Sequence, residues 1–209
     1  MAYSDFTLTQ LQQRFGLRLD GTTDLFADVA ELDLPPELAT TLQRYMPVAR
    51  DLSTEKARSE LLVMPFLMEL KLQHYDKLSV FSGIDFTVDA EVGLNGRCDF
   101  IISRSAEQLE LQSPACVLVE AKKEDIVAGV PQCLAEMIAA QRFNQRADRD
   151  VPIVYGAVTT GFQWRFLSLQ GTQARIDAAE YAIQLPRRLF GVLTHIALGE
   201  EAPPPRMPA

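Results

Sequence analysis

An apolar segment of the chain ends directly in charged side chains. Residues 115–123 read ACVLVEAKK, so five small or apolar residues are followed by Glu120 and, two positions later, by Lys122. Side chains two positions apart on a strand point to the same side, so the spacing predicts that these two face one side of a sheet together. By itself, the run also fits a strand that leaves the core for water, because charged residues are mostly exposed.

Two more carboxylates occur where apolar side chains are expected. Asp99 lies within RCDFIIS, which has the composition of a strand, and Glu60 lies on the apolar stripe of a helix predicted over residues 54–75. Two carboxylates and a backbone carbonyl form a site of hard oxygen ligands, which suits Mg²⁺. Such a metal neutralises developing charge and lowers the pKa of a bound water, which a nearby lysine can position. This chemistry fits the hydrolysis of a phosphodiester.

The helix over residues 54–75 must carry Glu60. Ser53 or Thr54 can cap its start, and a kink or break is expected at Pro65, which cannot donate to the carbonyl four residues earlier. Its apolar stripe is formed by Ala57, Glu60, Met64, Leu67 and Leu70 or Lys71.

Three strands are predicted after this helix, and they must carry Asp99 and Glu120. Alternating apolar side chains in FSGIDFTVDAEV, residues 81–92, indicate a one-sided strand, and Asn95-Gly96 is a strong signal for a hairpin turn. A second strand follows over residues 97–103. The third, over residues 116–121, is apolar at successive positions and is therefore expected to be central.

A long helix is predicted next, over residues 125–148, with its regular part beginning near Pro131 because proline suits a first helical turn. The strand VPIVYGAVTT then lies parallel to the third strand, since a helix connects the two. A further hairpin and a C-terminal helix over residues 186–198 are the last predicted elements of secondary structure. These elements predict a mixed α/β fold around a central sheet.

The spacing of Asp99, twenty intervening residues and Glu120-Ala121-Lys122 resembles the motif of the PD-(D/E)XK nuclease superfamily. Two further features are similar to that family: Glu60 in RSELLVMPFL on the first helix, and Gln132 in GVPQCLAEM on the helix after the third strand. The sequence departs from the family pattern where GRCD replaces the Pro-Asp pair. The resemblance covers roughly residues 54–160.

This resemblance implies a restriction-endonuclease-like α-β-β-β-α-β core over residues 54–200, with a central mixed sheet flanked by helices. Residues 1–53 would then be an N-terminal helical extension and residues 201–209 a disordered tail. It also implies Mg²⁺ or Mn²⁺ as cofactor and nucleic acid as partner, with DNA the expected form, although the sequence itself does not distinguish DNA from RNA. The implied metal ligands are Asp99, Glu120, the Ala121 carbonyl and, through a water, Glu60. Lys122 would act on the attacking water, with Glu60 and Gln132 in support.

Several alternatives stay open at this stage. Glu60 can instead pair with Lys56, one turn back at the helix surface. Lys123 and the helical series Arg142, Arg146 and Arg149 could contact a nucleic-acid backbone, although a solvated face is the more common role of such a series. A catalytically silent member of the fold, acting as a binding or assembly module, is the alternative function, since fold does not fix function.

The overall composition bears on nucleic-acid binding, membrane insertion and the redox compartment of the protein. The net charge of −8 opposes nonspecific binding to nucleic acid, and the apolar stretches are shorter than the roughly 20 residues of a membrane span. Cys98, Cys116 and Cys133 are widely spaced and form no CxxC pair, which favours reduced thiols in a cytoplasmic protein. A homodimer is left open.

Overall fold

The computed structural model describes residues 1–52, 54–122 and 124–199. Ser53, Lys123 and the predicted tail at residues 201–209 lie outside them. The strands are β1 (Arg18–Asp20), β2 (Ser79–Asp85), β3 (Arg97–Ser103), β4 (Ala115–Ala121), β5 (Val154–Thr159), β6 (Gln163–Gln170), β7 (Gln173–Ile176) and β8 (Tyr181–Ala182). The α-helices are α1 (Leu8–Phe15), α2 (Pro36–Asp51), α3 (Glu55–Arg58), α4 (Met64–Gln73), α5 (Ile126–Arg146) and α6 (Pro186–Leu198).

In the described part of the chain, these eight strands form one mixed sheet with the order β1-β7-β6-β5-β4-β3-β2, and β8 pairs with β6. β4 is central and lies parallel to β5, as the helix between them predicts. Helices cover both faces: α2, α4 and α6 contribute to one hydrophobic core, and α1 and α5 contribute to the other. The predicted mixed α/β fold with a central mixed sheet is therefore confirmed.

The N-terminal segment contributes to the sheet as well as to the helical layers. Besides α1 and α2, it supplies β1, which pairs in parallel with β7 at the edge opposite β2. Phe26, Leu38 and Leu42 are buried in the same core as α4 and α6. No α-helix of the described residues is long and apolar enough to cross a membrane.

The first predicted strand was placed too late along the chain. β2 spans Ser79–Asp85, and residues 86–92 follow as an irregular arm whose alternating apolar side chains pack against the core on the α5 face. The chain reverses at a 3₁₀ turn, Ala90–Val92, followed by Gly93 with a left-handed φ of 87°. Asn95-Gly96 therefore does not form the turn. Instead, the Asn95 side chain donates to the Met1 carbonyl, a tertiary contact that local turn preference cannot foresee.

The predicted break in the first core helix is present, and it takes the form of a π-helical turn, Ser59–Val63, between α3 and α4. The N–H of Met64 donates to the Ser59 carbonyl, five residues back, immediately before Pro65. A π turn adds a residue to the turn and rotates the following side chains by roughly 100°. Leu62 and Val63 therefore enter the core, and the predicted place of Glu60 on the buried stripe is wrong.

The helix after β4 begins earlier than Pro131 indicated. Asp125 caps it by accepting from the Ala128 N–H at 3.1 Å, and Pro131 lies inside the helix. The Asp125 cap and the buried apolar residues that follow it determine where α5 begins. The preference of proline for the first turn of a helix therefore did not indicate the start of α5. The helix ends at Arg146, and Arg149 lies beyond it.

Candidate active site

The candidate site forms where β3 and β4 separate. The ladder between them ends at the pair Phe100–Val119, one step before Asp99 and Glu120 would lie opposite each other. Beyond that pair, Asp99 Oδ2 accepts from the Ala121 N–H at 2.8 Å. The Asp99 carboxylate thus takes the position of a backbone acceptor and connects β3 to the end of β4. Its charge acts on Glu120 and contributes to raising the pKa of that residue.

A chain of hydrogen bonds connects the end of β4 to α5. Lys122 Nζ donates to Glu120 Oε1 at 2.5 Å and to Gln132 Oε1 at 3.0 Å. Gln132 Nε2 in turn donates to Glu136 Oε1 at 3.2 Å. The structure therefore brings together four of the predicted site residues, Asp99, Glu120, Lys122 and Gln132, and adds Glu136.

Close packing of α5 against the sheet positions this chain of contacts. A Cβ added at Gly129 would lie 2.9 Å from Lys122 Cγ and 2.6 Å from Val158 Cγ1. Contacts that short are not tolerated, so only glycine allows the first turns of α5 to approach the Lys122 stem this closely. The approach keeps Gln132 within hydrogen-bonding distance of Lys122.

Burial dominates the electrostatics of the site. Glu120 is only 2% exposed, and burial, followed by the charge of Asp99, raises its pKa to about 7 despite the opposing effect of Lys122. Burial also raises the pKa of Asp99. For Lys122, burial alone would lower the pKa, but the hydrogen bond and the charge of Glu120 leave it raised.

Glu136 is the residue that the sequence analysis missed. It is 0% exposed, and burial followed by the charge of Glu120 raises its pKa well above the ordinary value. The signal was present in CLAEMIAA, where one acid interrupts an apolar helical run one turn after Gln132. An acid at that position is adjacent to Gln132 on the helix and faces the sheet with it.

Two buried carboxylate oxygens test whether a metal fits here. Within the described residues, neither Glu120 Oε2 nor Glu136 Oε2 accepts a hydrogen bond from an N–H or hydroxyl group. The two carboxyl groups interact directly, and a proton held by Glu136 satisfies both by donating to Glu120. No group of three His, Cys, Asp or Glu side chains in that part of the chain is arranged to hold a metal ion. A cation held between Asp99 and Glu120 would have two carboxylate ligands, and retained waters would have to complete the coordination of Mg²⁺.

A cavity of about 440 Å³ opens beside Asp99, between the first core helix and β2–β3. Its lining includes Glu55, Lys56, Ser82, Gly83, Arg97 and Asp99, together with Glu60. The Glu60 side chain is 64% exposed and lies 3.7 Å from Lys56 Nζ, so the surface pairing left open by the sequence is present. Glu60 borders the same cavity as Asp99 but is absent from the hydrogen-bonded chain of Glu120, Lys122, Gln132 and Glu136 in the described part of the structure.

The predicted arginine series does not form one free helix face. Arg142 pairs with Asp89 at 2.6 Å, and Arg146 donates to the Val88 carbonyl, so both hold the β2–β3 connection against α5. Arg149 follows the end of the helix and is exposed. Lys123 is outside the described residues.

Comparisons with known proteins do not assign the chain to a group. No model of a known protein family matches it, and no curated protein shows significant similarity to it.

Proposed function

We propose that this chain is a Mg²⁺-dependent nuclease that hydrolyses phosphodiester bonds of DNA and has a restriction-endonuclease-like core. The observation that carries the proposal is the approach of Asp99 and Glu120 at the point where β3 and β4 separate, with Lys122 bonded to Glu120. The chain order α4, β2, β3, β4, α5, β5 supports the core topology that the sequence resemblance implies.

In this proposal, Asp99, Glu120 and the Ala121 carbonyl hold Mg²⁺ or Mn²⁺, with Glu60 in support through a water. The bound metal supplies Lewis-acid stabilisation of the phosphate and a water of lowered pKa. Lys122 orients the attacking water and offsets the charge of the carboxylates. Gln132 positions Lys122, because its Oε1 accepts from the ammonium and keeps Nζ beside Glu120.

Cleavage of plasmid and single-stranded DNA with Mg²⁺ or Mn²⁺ tests the proposal. We expect Asp99→Ala and Lys122→Ala to reduce the rate by at least about 100-fold, since each removes a group that acts on the transition state. Arg18→Ala, at the opposite edge of the sheet, is the control and should retain the wild-type rate. Activity that is equal in all four proteins would reject the proposal and indicate a contaminating nuclease.

A catalytically silent binding or assembly module is the second candidate. It is favoured by the 2.5 Å contact of Lys122 with Glu120, which neutralises the carboxylate without a metal, and by the absence of a three-residue ligand group in the described residues. Calorimetry with Mn²⁺ separates the two candidates. Binding that is abolished in Asp99→Ala counts against the silent module, whereas absence of binding by the wild type favours it.

We further propose that the protein acts in the cytoplasm on DNA and not at a membrane. The free cysteines Cys98, Cys116 and Cys133 are all buried, which suits a reducing compartment. A homodimer is compatible with this function, and a mass measurement in solution decides between monomer and dimer.

A further inference from the structure

The cavity beside Asp99 depends on a glycine in the neighbouring strand. Gly83 falls between the pairs Ser82–Phe100 and Ile84–Cys98, so its backbone lies opposite Asp99. Its φ of 61° is left-handed, a conformation that side chains other than glycine rarely adopt. Position 83 therefore adds no side chain to the wall of the cavity next to the Asp99 carboxylate.

The guanidinium of Arg97 uses the space that Gly83 leaves. A Cβ at position 83 would lie 3.0 Å from Arg97 Nη2 and 3.3 Å from its Nε, so the planar group rests against the bare backbone. Arg97 is exposed, lines the cavity and lies two residues before Asp99. Burial raises the pKa of Asp99, and the charge of Arg97 opposes that effect in small part. Among the described residues, Arg97 makes no salt bridge, in contrast to Lys56, which is paired with Glu60.

The charges of the cavity determine which ligand it suits. Its carboxylates, Glu55, Glu60 and Asp99, would repel an anion, and Lys56 lies in an exposed pair with Glu60 at 3.7 Å. Of the two cations in the lining, Arg97 is the one whose guanidinium rests against the backbone of the cavity wall, at Gly83. Its planar fork matches two oxygens of a phosphate. A volume of about 440 Å³ falls within the range of small-ligand sites.

We propose that this cavity is the subsite for a DNA phosphate adjacent to the one that is cleaved, and that Arg97, held over Gly83, contacts its oxygens. The inference rests on the proposed nuclease function and deepens it by assigning a substrate contact. Arg97 is a binding residue here, so its removal weakens substrate binding and is not required for the chemical step.

The test measures binding without hydrolysis. Full-length protein is titrated into labelled single-stranded and duplex oligonucleotides by fluorescence anisotropy, with Ca²⁺ in place of Mg²⁺ and over a series of salt concentrations. We expect Arg97→Ala to raise Kd about tenfold and to reduce the slope of log K against log salt by about 1, as the loss of one phosphate contact requires. Arg18→Ala makes the same change in charge at the opposite edge of the sheet and should change Kd less than twofold.

A second variant and a competition experiment distinguish the possible explanations of a change in Kd. Gly83→Ala should weaken binding in the same direction as Arg97→Ala, because the new methyl displaces the guanidinium, and a thermal melt confirms that the variant is folded. Inorganic phosphate and a free deoxynucleotide monophosphate are added as competitors. Displacement of the oligonucleotide at equal phosphate concentration would show that the subsite takes free phosphate and would overturn its assignment to DNA.

The inference and the nuclease proposal fail in different ways. Equal Kd and equal slope for Arg97→Ala and Arg18→Ala would overturn the inference even if the wild type cleaves DNA. Binding that depends on Arg97 in a protein that never cleaves DNA would support Arg97 as a contact to a DNA phosphate and would reject the nuclease. Absence of oligonucleotide binding by the wild type overturns the inference regardless of cleavage.

Discussion

At the residue scale, the surroundings of Glu120 act on its pKa in opposite directions. Its buried position and the nearby Asp99 favour the protonated acid, whereas Lys122 at 2.5 Å favours the carboxylate. The result is a pKa of about 7, well above the ordinary value for glutamate. A carboxylate binds a metal only when it is deprotonated, so a cation that bound Glu120 near neutral pH would have to displace a proton from part of the population.

Lys122→Met tests this balance in the metal-free protein. The pKa of Glu120 is raised on folding from 4.5 to about 7, so its stabilising contribution is complete below pH 4.5 and is lost as pH rises through 7. Removal of Lys122 leaves the carboxylate unpaired and deepens that loss. We expect a cost of about 2–3 kcal/mol at pH 8 and a clearly smaller cost at pH 5, measured by urea unfolding in EDTA.

The double variant Glu120→Gln/Lys122→Met is the control for Lys122→Met. It contains neither charge and should recover most of the stability at pH 8. A cost of Lys122→Met that is the same at both pH values would show that the lost interaction is packing of the lysine stem and not its charge.

Glu136→Gln tests the buried acid that the sequence analysis missed. Burial raises the pKa of Glu136, so folding favours its protonated form and the wild type loses stability as pH rises above the ordinary range of glutamate. Glutamine has the same shape and does not titrate. We expect the variant to match the wild type within about 0.5 kcal/mol at pH 5 and to exceed it by about 1–2 kcal/mol at pH 9. Parallel pH profiles for the two proteins would contradict this.

Residue types and spacing predicted which side chains meet at the end of β4, but not their burial. Asp99, Glu120, Lys122 and Gln132 are connected as their positions in the sequence suggested. Glu60 is not, because the π turn alters which side of the helix faces the core. Glu136 was overlooked because an acid within a helix is usually exposed, and only the docking of α5 shows that it is not.

At the element scale, the docking of α5 on the sheet depends on glycines at the contact. Gly129 allows the approach to Lys122 and Val158, and a Cβ at Gly156 of β5 would lie 2.5 Å from Met137 Sδ. These two positions bring the backbone of α5 close to β4 and β5 at two points along the helix. The distance between α5 and the sheet, and with it the contact of Gln132 with Lys122, follows from this packing.

Gly129→Ala measures the strength of that packing. In an unconstrained helix, alanine in place of glycine stabilises by about 0.5–1 kcal/mol. Here the new methyl would contact Val158 and the Lys122 stem, so we expect a loss of about 1–3 kcal/mol in urea unfolding. Val127→Ala on the same turn, where the side chain is 68% exposed, should change stability by less than about 0.5 kcal/mol. A more stable Gly129→Ala protein would show that the helix does not pack this tightly.

Hydrophobic periodicity predicted elements well where local pattern and tertiary packing agree. β3, β4, β5 and α6 lie close to the expected positions because continuous apolar runs or clear turn residues bound them. The first strand was misplaced because residues 86–89 continue toward residues 94–96 with backbone hydrogen bonds and an isolated bridge, Asp89 to Leu94, but not with a regular ladder. Phe86, Val88 and Val92 pack against the core, so their alternation imitates a strand. The π turn was not foreseen because it depends on how α2, α4 and the sheet accommodate Pro65 together.

At the scale of the whole molecule, the strand order places the candidate site between the centre of the sheet, at β4, and its edge, at β2. β4 lies at the centre of the sheet and buries Glu120, whereas β2 is an edge strand and leaves the cavity beside Asp99 accessible. The sequence predicted the central position of β4 from its continuous apolar run. The further hairpin that the sequence predicted is formed by β6 and β7. The sequence could not predict that β1 would extend the sheet, because the pairing of β1 with β7 joins segments far apart in the chain.

The net charge of −8 opposes the binding of DNA by the proposed nuclease. An acidic protein repels DNA phosphates, so a metal held between carboxylates and a phosphate is expected to contribute to binding as well as to hydrolysis.

The most direct test of the proposed metal site is a crystal of the wild-type protein soaked in Mn²⁺ and measured for anomalous scattering. We predict a peak between the carboxylates of Asp99 and Glu120, and no peak at that position in an equally soaked crystal of Asp99→Ala. Absence of any wild-type peak between these two carboxylates at saturating Mn²⁺, or Mn²⁺ bound only elsewhere on the protein, would contradict the assignment.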